Sequence, residues 1–164
     1  MPARFPQLLF VMLFASALAS AQSTRVVMRA KLAPAGSFNI EGTALKGSLT
    51  KQGATYRGKN LVLDLTGLKS GMDLRDKHIQ EHFETSKFPR AELLEAEGKD
   101  GKFTGKLKIR GVTKAVAGTY EVSGKQGKAR FTTKMSDFKI KKASYMGLGV
   151  KDEIEVEAEM PVPN

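Results

Sequence analysis

His78-Ile79-Gln80-Glu81-His82 is the one stretch of this sequence whose residue types and spacing suggest bond-making chemistry, and it holds both histidines of the chain. On a helix, histidines four residues apart share a face and can offer two ring nitrogens to one zinc ion. A glutamate beside them can take a proton from a metal-bound water. The order H-x-x-E-H is that of the inverted zinc proteases. Such a site also needs a long helix and a third ligand from another element. This chain has no third histidine and no cysteine, so a glutamate would have to serve. No Ser-His-Asp set has a recognisable spacing, and no glycine-rich loop stands before a helix to cradle phosphate. The expectation is therefore a protein that is not an enzyme and carries neither cofactor nor metal, with zinc-dependent hydrolysis at His78 and His82 as an alternative.

The histidines sit in a segment that breaks the pattern of the rest. Leu74, His78 and His82, with Ile79 and Phe83 beside them, recur at helical spacing. Asp73 stands where an N-cap would, and Asp76 makes the first turn acidic, as the positive end of the helix dipole favours. Pro89 disfavours helical geometry at the residue before it. The spacing predicts one short helix, about 73–84, with Leu74 and Phe83 turned towards a sheet.

Nearly everything else after residue 24 alternates apolar and polar residues and is punctuated by glycine. Val26, Met28, Ala30 and Leu32 give a first strand, Phe38 and Ile40 a second, and Leu45, Gly47 and Leu49 a third. A turn or short strand is expected around Tyr56 between Gly53 and Gly58. Leu61, Leu63 and Leu65 then share one face. After Pro89 come a short strand with Leu93 and Leu94, a hairpin at Asp100-Gly101, and the set Phe103, Gly105, Leu107 and Ile109. Val116, Gly118, Tyr120 and Val122 follow, then turn glycines at 124 and 127, then Ala129, Phe131, Thr133 and Met135 in phase. Residues 136–149 read as a long loop. In the last strand Ile154, Val156, Ala158 and Met160 alternate with Glu153, Glu155, Glu157 and Glu159, which form a wet face. Turn signals at this spacing predict an antiparallel barrel or sandwich. Eight strands can enclose one small ligand. The small inward residues (Gly47, Gly105, Gly118, Ala129, Ala158) either leave room or fit the taper.

Arg4, the apolar run from Leu8 to Leu18, and Ala19-Ser20-Ala21 have the layout of a cleaved signal peptide. The domain is then residues 22–164, exported to the periplasm or secreted. The formal charge of +10 falls to +9 when Arg4 is removed. With no cysteine, no disulfide can staple the fold, and an ordinary hydrophobic core must hold it. The lysines are spread along the strands without interleaved aromatics, which argues against nucleic acid. A basic interaction module at the anionic cell envelope is a further alternative.

Gly71-Met72-Asp73-Leu74-Arg75-Asp76-Lys77-His78, with Phe83 and Phe88-Pro89, resembles the R-D-x-H segment of the YceI-like proteins, exported bacterial lipid- or polyisoprenoid-binding domains. The run from Gly105 to Lys114 resembles their G-x-L-T-I-x-G-V-T-K strand and turn. Ser136-Asp137-Phe138 and Gly149-Val150-Lys151-Asp152-Glu153-Ile154 resemble their S-D-F and G-D-E-V elements. The chain differs in having only Phe83 in a shortened segment before the proline, Lys108 in place of the usual threonine, and Lys134-Met135 before S-D-F. The resemblance implies an all-β fold, an extended, lipocalin-like, eight-stranded antiparallel barrel with a helix near one end. It also implies a long-chain apolar partner, an isoprenoid, quinone or fatty-chain lipid. On that reading Leu61, Leu63, Leu65, Phe103, Leu107, Ile109, Phe131 and Met135 line an apolar tunnel, and Phe83, Phe88 and Phe138 border it. Burying one five-carbon isoprene unit contributes about 4 kcal/mol at ~0.8 kcal/mol per methylene. Association costs on the order of 4–15 kcal/mol, so a few units suffice without a polar anchor.

Overall fold

The computed structural model describes residues 23–164 apart from residue 146. The expected signal peptide lies outside them. Among the described residues no helix is long and apolar enough to cross a membrane.

The alternating segments become strands β1 (Arg25–Ala33), β2 (Ser37–Gly42), β3 (Leu45–Lys46), β4 (Leu49–Gln52), β5 (Thr55–Asp64), β6 (Arg90–Lys99), β7 (Lys102–Ile109), β8 (Val112–Ser123), β9 (Gln126–Lys134), β10 (Ser144–Tyr145) and β11 (Leu148–Pro161). Eight of them, in the spatial order β2-β1-β11-β9-β8-β7-β6-β5, form one continuous antiparallel sheet. The stretch from Ser37 to Gln52 then rolls that sheet into a nearly closed barrel. It begins on the edge of β1 as β2 and ends on the edge of β5 as β3 and β4. Gly42 stands at the changeover, where a Cβ would come within 3.0 Å of both Leu63 and Leu68. At the same corner Glu41 and Lys69 exchange two backbone hydrogen bonds of 2.7 and 2.9 Å.

Period two decides the faces. Val26, Met28 and Ala30 of β1, Leu61 and Leu63 of β5, and Phe103, Leu107 and Ile109 of β7 are buried, while their neighbours in sequence face water. The outer face is laced by cross-strand ion pairs. Glu157 of β11 meets Lys128 at 3.2 Å and Arg130 at 2.8 Å, Glu159 meets Lys128 at 2.8 Å, and Lys31 meets Glu155. The glutamate row of β11 is thus a wet face, and Glu155, Glu157 and Glu159 in it are paired.

Several local expectations are corrected. The third expected strand is broken in two at Gly47, whose φ of 125° suits glycine and which lies against Leu61. Of the turn or short strand expected around Tyr56 the structure has the strand, with Tyr56 inside the ten-residue β5 and the turn at Gly53. Gly127 belongs to β9, leaving Gly124 in the turn. Met135 leaves β9 and opens a short 3-10 helix, Met135–Phe138, and β10 and the start of β11 structure much of the expected loop.

The helix α1 spans Asp73–Phe83. Met72, not Asp73, is its N-cap, and no side chain caps it. Leu74 is 56% exposed, so the buried stripe is Asp76, Ile79 and Phe83. The helix stops at Glu84, which adopts a left-handed conformation (φ 50°) while the Thr85 N–H bonds back to the Gln80 carbonyl at 3.0 Å. That stop precedes Lys87 and Pro89.

Candidate functional site

Joining β5 to β6, the helix and its flanking loops cover one end of the barrel, and the packing below it leaves space. A cavity of about 170 Å³ runs inside the strands. One water needs about 10–15 Å³ by this measure, and a dry apolar cavity of similar size admits benzene. Nine of the eleven residues expected at the ligand line it: Leu61, Leu63, Leu65, Phe83, Phe103, Leu107, Ile109, Phe131 and Met135. Phe103 and Phe131 meet edge to face with centroids 5.7 Å apart, yet both still border the void. The interior is hollow, not a plug of phenylalanine and leucine.

The other two lie elsewhere. Phe138 is fully buried (0% exposed) in the core at the 3-10 helix and is not part of this cavity's wall. Phe88 is half-buried and lies beside Arg110, whose guanidinium sits 5.7 Å from its ring centroid. Arg110 also meets Glu84 at 2.8 Å and donates to the Lys139 carbonyl. Phe88 therefore packs into a clasp between the β7–β8 turn, the end of α1 and the 3-10 helix, away from the cavity.

Ala129 and Ala158, expected among the small inward residues, are directly opposed across β9 and β11 and line the cavity, and Ala91 and Ala96, which the sequence reading missed, make room beside them. The inward glycines instead accept neighbours already in place. A Cβ on Gly105 would lie 2.7 Å from the Glu95 carbonyl oxygen, and one on Gly118 would lie 2.0 Å from that of Arg130. At the far end Tyr120 lies over Gly98 and meets Tyr56 edge to face at 5.8 Å. No period-two argument shows which glycine lies under a ring.

A second cavity of about 70 Å³ sits between α1, β1, β2 and β11. Met28, Phe83 and Met135 line both cavities, so the two are separated only by side chains. Ile79 and His82 contribute from the helix, and Lys141, Lys142 and Lys151 from the opposite side. His78 is half-buried and Glu81 exposed. Among the described residues no three histidine, cysteine, aspartate or glutamate side chains converge as metal ligands.

Three aspartates hold this end of the barrel in one way: each accepts two hydrogen bonds, from the backbone N–H and the hydroxyl of one serine or threonine. Asp76 takes Ser70 at 2.7 and 2.6 Å, Asp64 takes Thr66 at 2.8 and 2.6 Å, and Asp152 takes Ser136 at 2.8 and 2.6 Å. These bonds, the hydroxyl's above all, hold all three carboxyls below the usual carboxylate range.

Solved structures share the architecture. BcnA of Burkholderia cenocepacia superposes with a TM-score of 0.67 at 15% identity, over 85% of this chain and 96% of its own. A polyisoprenoid-binding domain from Saccharophagus degradans, implicated in plant cell wall breakdown, gives 0.60 at 14% identity over 87% and 99%. A mutant CJ YceI protein holding a monobromobimane guest gives 0.53 at 19% over 76% and 85%. No curated protein matches the sequence significantly. The model of the YceI-like domain matches residues 17–162, nearly the whole length, and the chain belongs to that family.

Proposed function

We propose that this protein binds and carries a long apolar ligand, a polyisoprenoid, quinone or fatty-chain lipid, in the periplasm, and does no chemistry on it. The observation that carries the reading is the 170 Å³ void walled by leucine, phenylalanine, methionine and alanine side chains. Such a wall offers water almost no hydrogen-bond partners and offers a hydrocarbon chain contact on all sides. The polyisoprenoid-binding domain of Saccharophagus degradans has the same fold, which agrees with this reading. The signal-like N-terminus supports export, with cleavage after Ala21.

Native mass spectrometry of the protein from its own host envelope tests this directly. The expected result is a bound apolar molecule that organic extraction removes. It should be absent from Ala158→Phe, which fills the cavity from a wall position that already carries a Cβ. Repeated recovery of empty wild-type protein, with an apolar fluorophore binding equally to wild type and Ala158→Phe, would overturn the proposal.

A further inference from the structure

We infer that the protein docks on the surface of an anionic phospholipid bilayer, with the first turn of α1 as the part that enters it. This is independent of the carrier reading. It concerns the outside of the barrel, and the lipids it meets stay in their bilayer.

Two local rules are broken within three residues. A helix N-cap favours serine, threonine, aspartate or asparagine, whose side chains satisfy a free N–H. Here Met72 holds that place, with no side-chain cap. A leucine on an amphipathic helix belongs on the buried stripe, yet Leu74 lies on the opposite side from Ile79 and Phe83. Met72 (43% exposed) and Leu74 are two of the three large hydrophobic side chains exposed among the described residues. A Cβ on Gly67 or Gly71, in the loop leading to this turn, would meet nothing within 4 Å, as befits a segment that projects.

The charge around this turn complements an anionic surface. Residues 66–90 and 134–152, which lie at this end of the barrel, carry ten lysines and arginines against six acids. Three of the acids are engaged within the protein: Asp76 by Ser70 and Lys69, Glu84 by Arg110, and Asp152 by Ser136. The other three, Asp73, Glu81 and Asp137, are exposed. So are Lys77, Lys87, Lys139, Lys141, Lys142 and Lys151, and the ion pairs of this end, Lys69 with Asp76 and Arg110 with Glu84, use none of these six. Arg75 joins the turn to the lysines. Its guanidinium lies 2.9 Å from the Met72 sulfur and 4.3 Å from the centre of the Phe38 ring. Phe38 in turn shares the walls of the smaller cavity with Lys141, Lys142 and Lys151. The apolar turn and the cations therefore share one surface. A bilayer meets both at once, with anionic head groups for the lysines and the acyl boundary just beneath for Met72 and Leu74. An acidic polymer would meet the lysines and leave the two apolar side chains in water.

The test is co-sedimentation of protein recovered from its host, processed at its N-terminus, with vesicles of phosphatidylglycerol and phosphatidylethanolamine. Vesicles of phosphatidylcholine and phosphatidylethanolamine are the neutral control. A lysine near an anionic surface contributes about fivefold to binding, so Lys141→Gln, Lys142→Gln, Lys151→Gln should lose about a hundredfold. Met72→Ser, Leu74→Ser should lose about tenfold. The latter variant keeps its fold, because serine is a favoured N-cap, and circular dichroism checks this. Ala158→Phe, blocked inside the barrel, should bind vesicles as wild type does. Binding to neutral vesicles as tight as to anionic ones, or no binding to either, overturns the inference. So does binding that survives both sets of substitutions. Loss in the lysine variant alone, or equal affinity for polyglutamate, would make the surface a plain anion site without insertion and overturns it too. Loss in Ala158→Phe would mean that lipid is being taken into the barrel and not docked upon, and would also overturn it.

Discussion

The Asp76 carboxylate accepts both the backbone N–H and the hydroxyl of Ser70, six residues earlier, through one oxygen, Oδ1, at 2.7 and 2.6 Å. Its other oxygen faces Lys69 at 3.5 Å. Asp76 is 5% exposed. It ties the first turn of α1 to the loop that leaves β5, next to the Glu41–Lys69 bridge that closes the barrel. The acidic residue of the helix's first turn thus acts as a strut. Asp76→Ala strands two donors under cover, at a cost of roughly 2–3 kcal/mol. For a domain of this size that lowers the melting temperature by about 5–10 °C, read by circular dichroism. A change within a degree would mean that the helix is held by its apolar stripe alone.

The three aspartate clasps make an acid-sensitive end. Asp64, Asp76 and Asp152 all titrate below the ordinary aspartate value of 3.8 when folded, held there first by the hydroxyl hydrogen bond to each. A depressed native pKa means that the unfolded chain binds the proton more readily. Their stabilisation is therefore complete above about pH 4 and lost as the pH falls through the lower native values. The urea midpoint of wild type is expected to hold steady down to about pH 5 and then decline. In Asp76→Asn, Asp152→Asn the midpoint starts lower at neutral pH and declines less. Parallel curves for the two proteins would place the acid sensitivity elsewhere.

Leu68 carries more of the core than its place in a loop suggests. It is 0% exposed and packs against Gly42 at the barrel corner, where Leu65 is also buried. Leu68→Ala is expected to cost roughly 2–5 kcal/mol, visible as a lower urea midpoint at unchanged slope. A surface-like loss below about 0.5 kcal/mol would show that the corner collapses freely around the missing side chain.

Leu68 also marks the limit of what the sequence discloses. Alternation exposed the wall of the barrel, because a strand with one wet face must place every second residue inside, and nine of the expected residues do border the void. It could not expose Leu68, Phe138 or the Arg110–Phe88 clasp, which lie in segments without a period. Asp100-Gly101 was legible as a hairpin, since both residues enter left-handed conformation readily (φ 52° and 75°). Arg110-Gly111 makes the same turn (φ 50° and 75°) with an unfavourable first residue, held there by the contacts of Arg110 to Glu84 and Lys139. The helix was legible as an element, but its faces were not. Hydropathy alone turned Leu74 inward, whereas the hydrogen bonds of Asp76 turn the helix the other way. The smaller cavity was invisible because its walls come from six separate stretches of chain.

Phe83 decides how the two cavities communicate. It is buried, lines both, and stands at the last turn of α1 with Met28 and Met135 as its companions at the constriction. Replacing it by alanine joins the spaces and removes the packing of a full ring, which in the empty protein costs roughly 3–5 kcal/mol. A ligand long enough to occupy both spaces fills the vacancy, and any ligand that binds only the folded state adds stability in proportion to the logarithm of its occupancy. Phe83→Ala should therefore melt well below wild type when empty and regain more than wild type does on adding a saturating long-chain amphiphile. A short ligand confined to the barrel should restore both proteins equally. Should long and short ligands raise the two melting temperatures alike, Phe83 is only a core residue and the chain does not pass it.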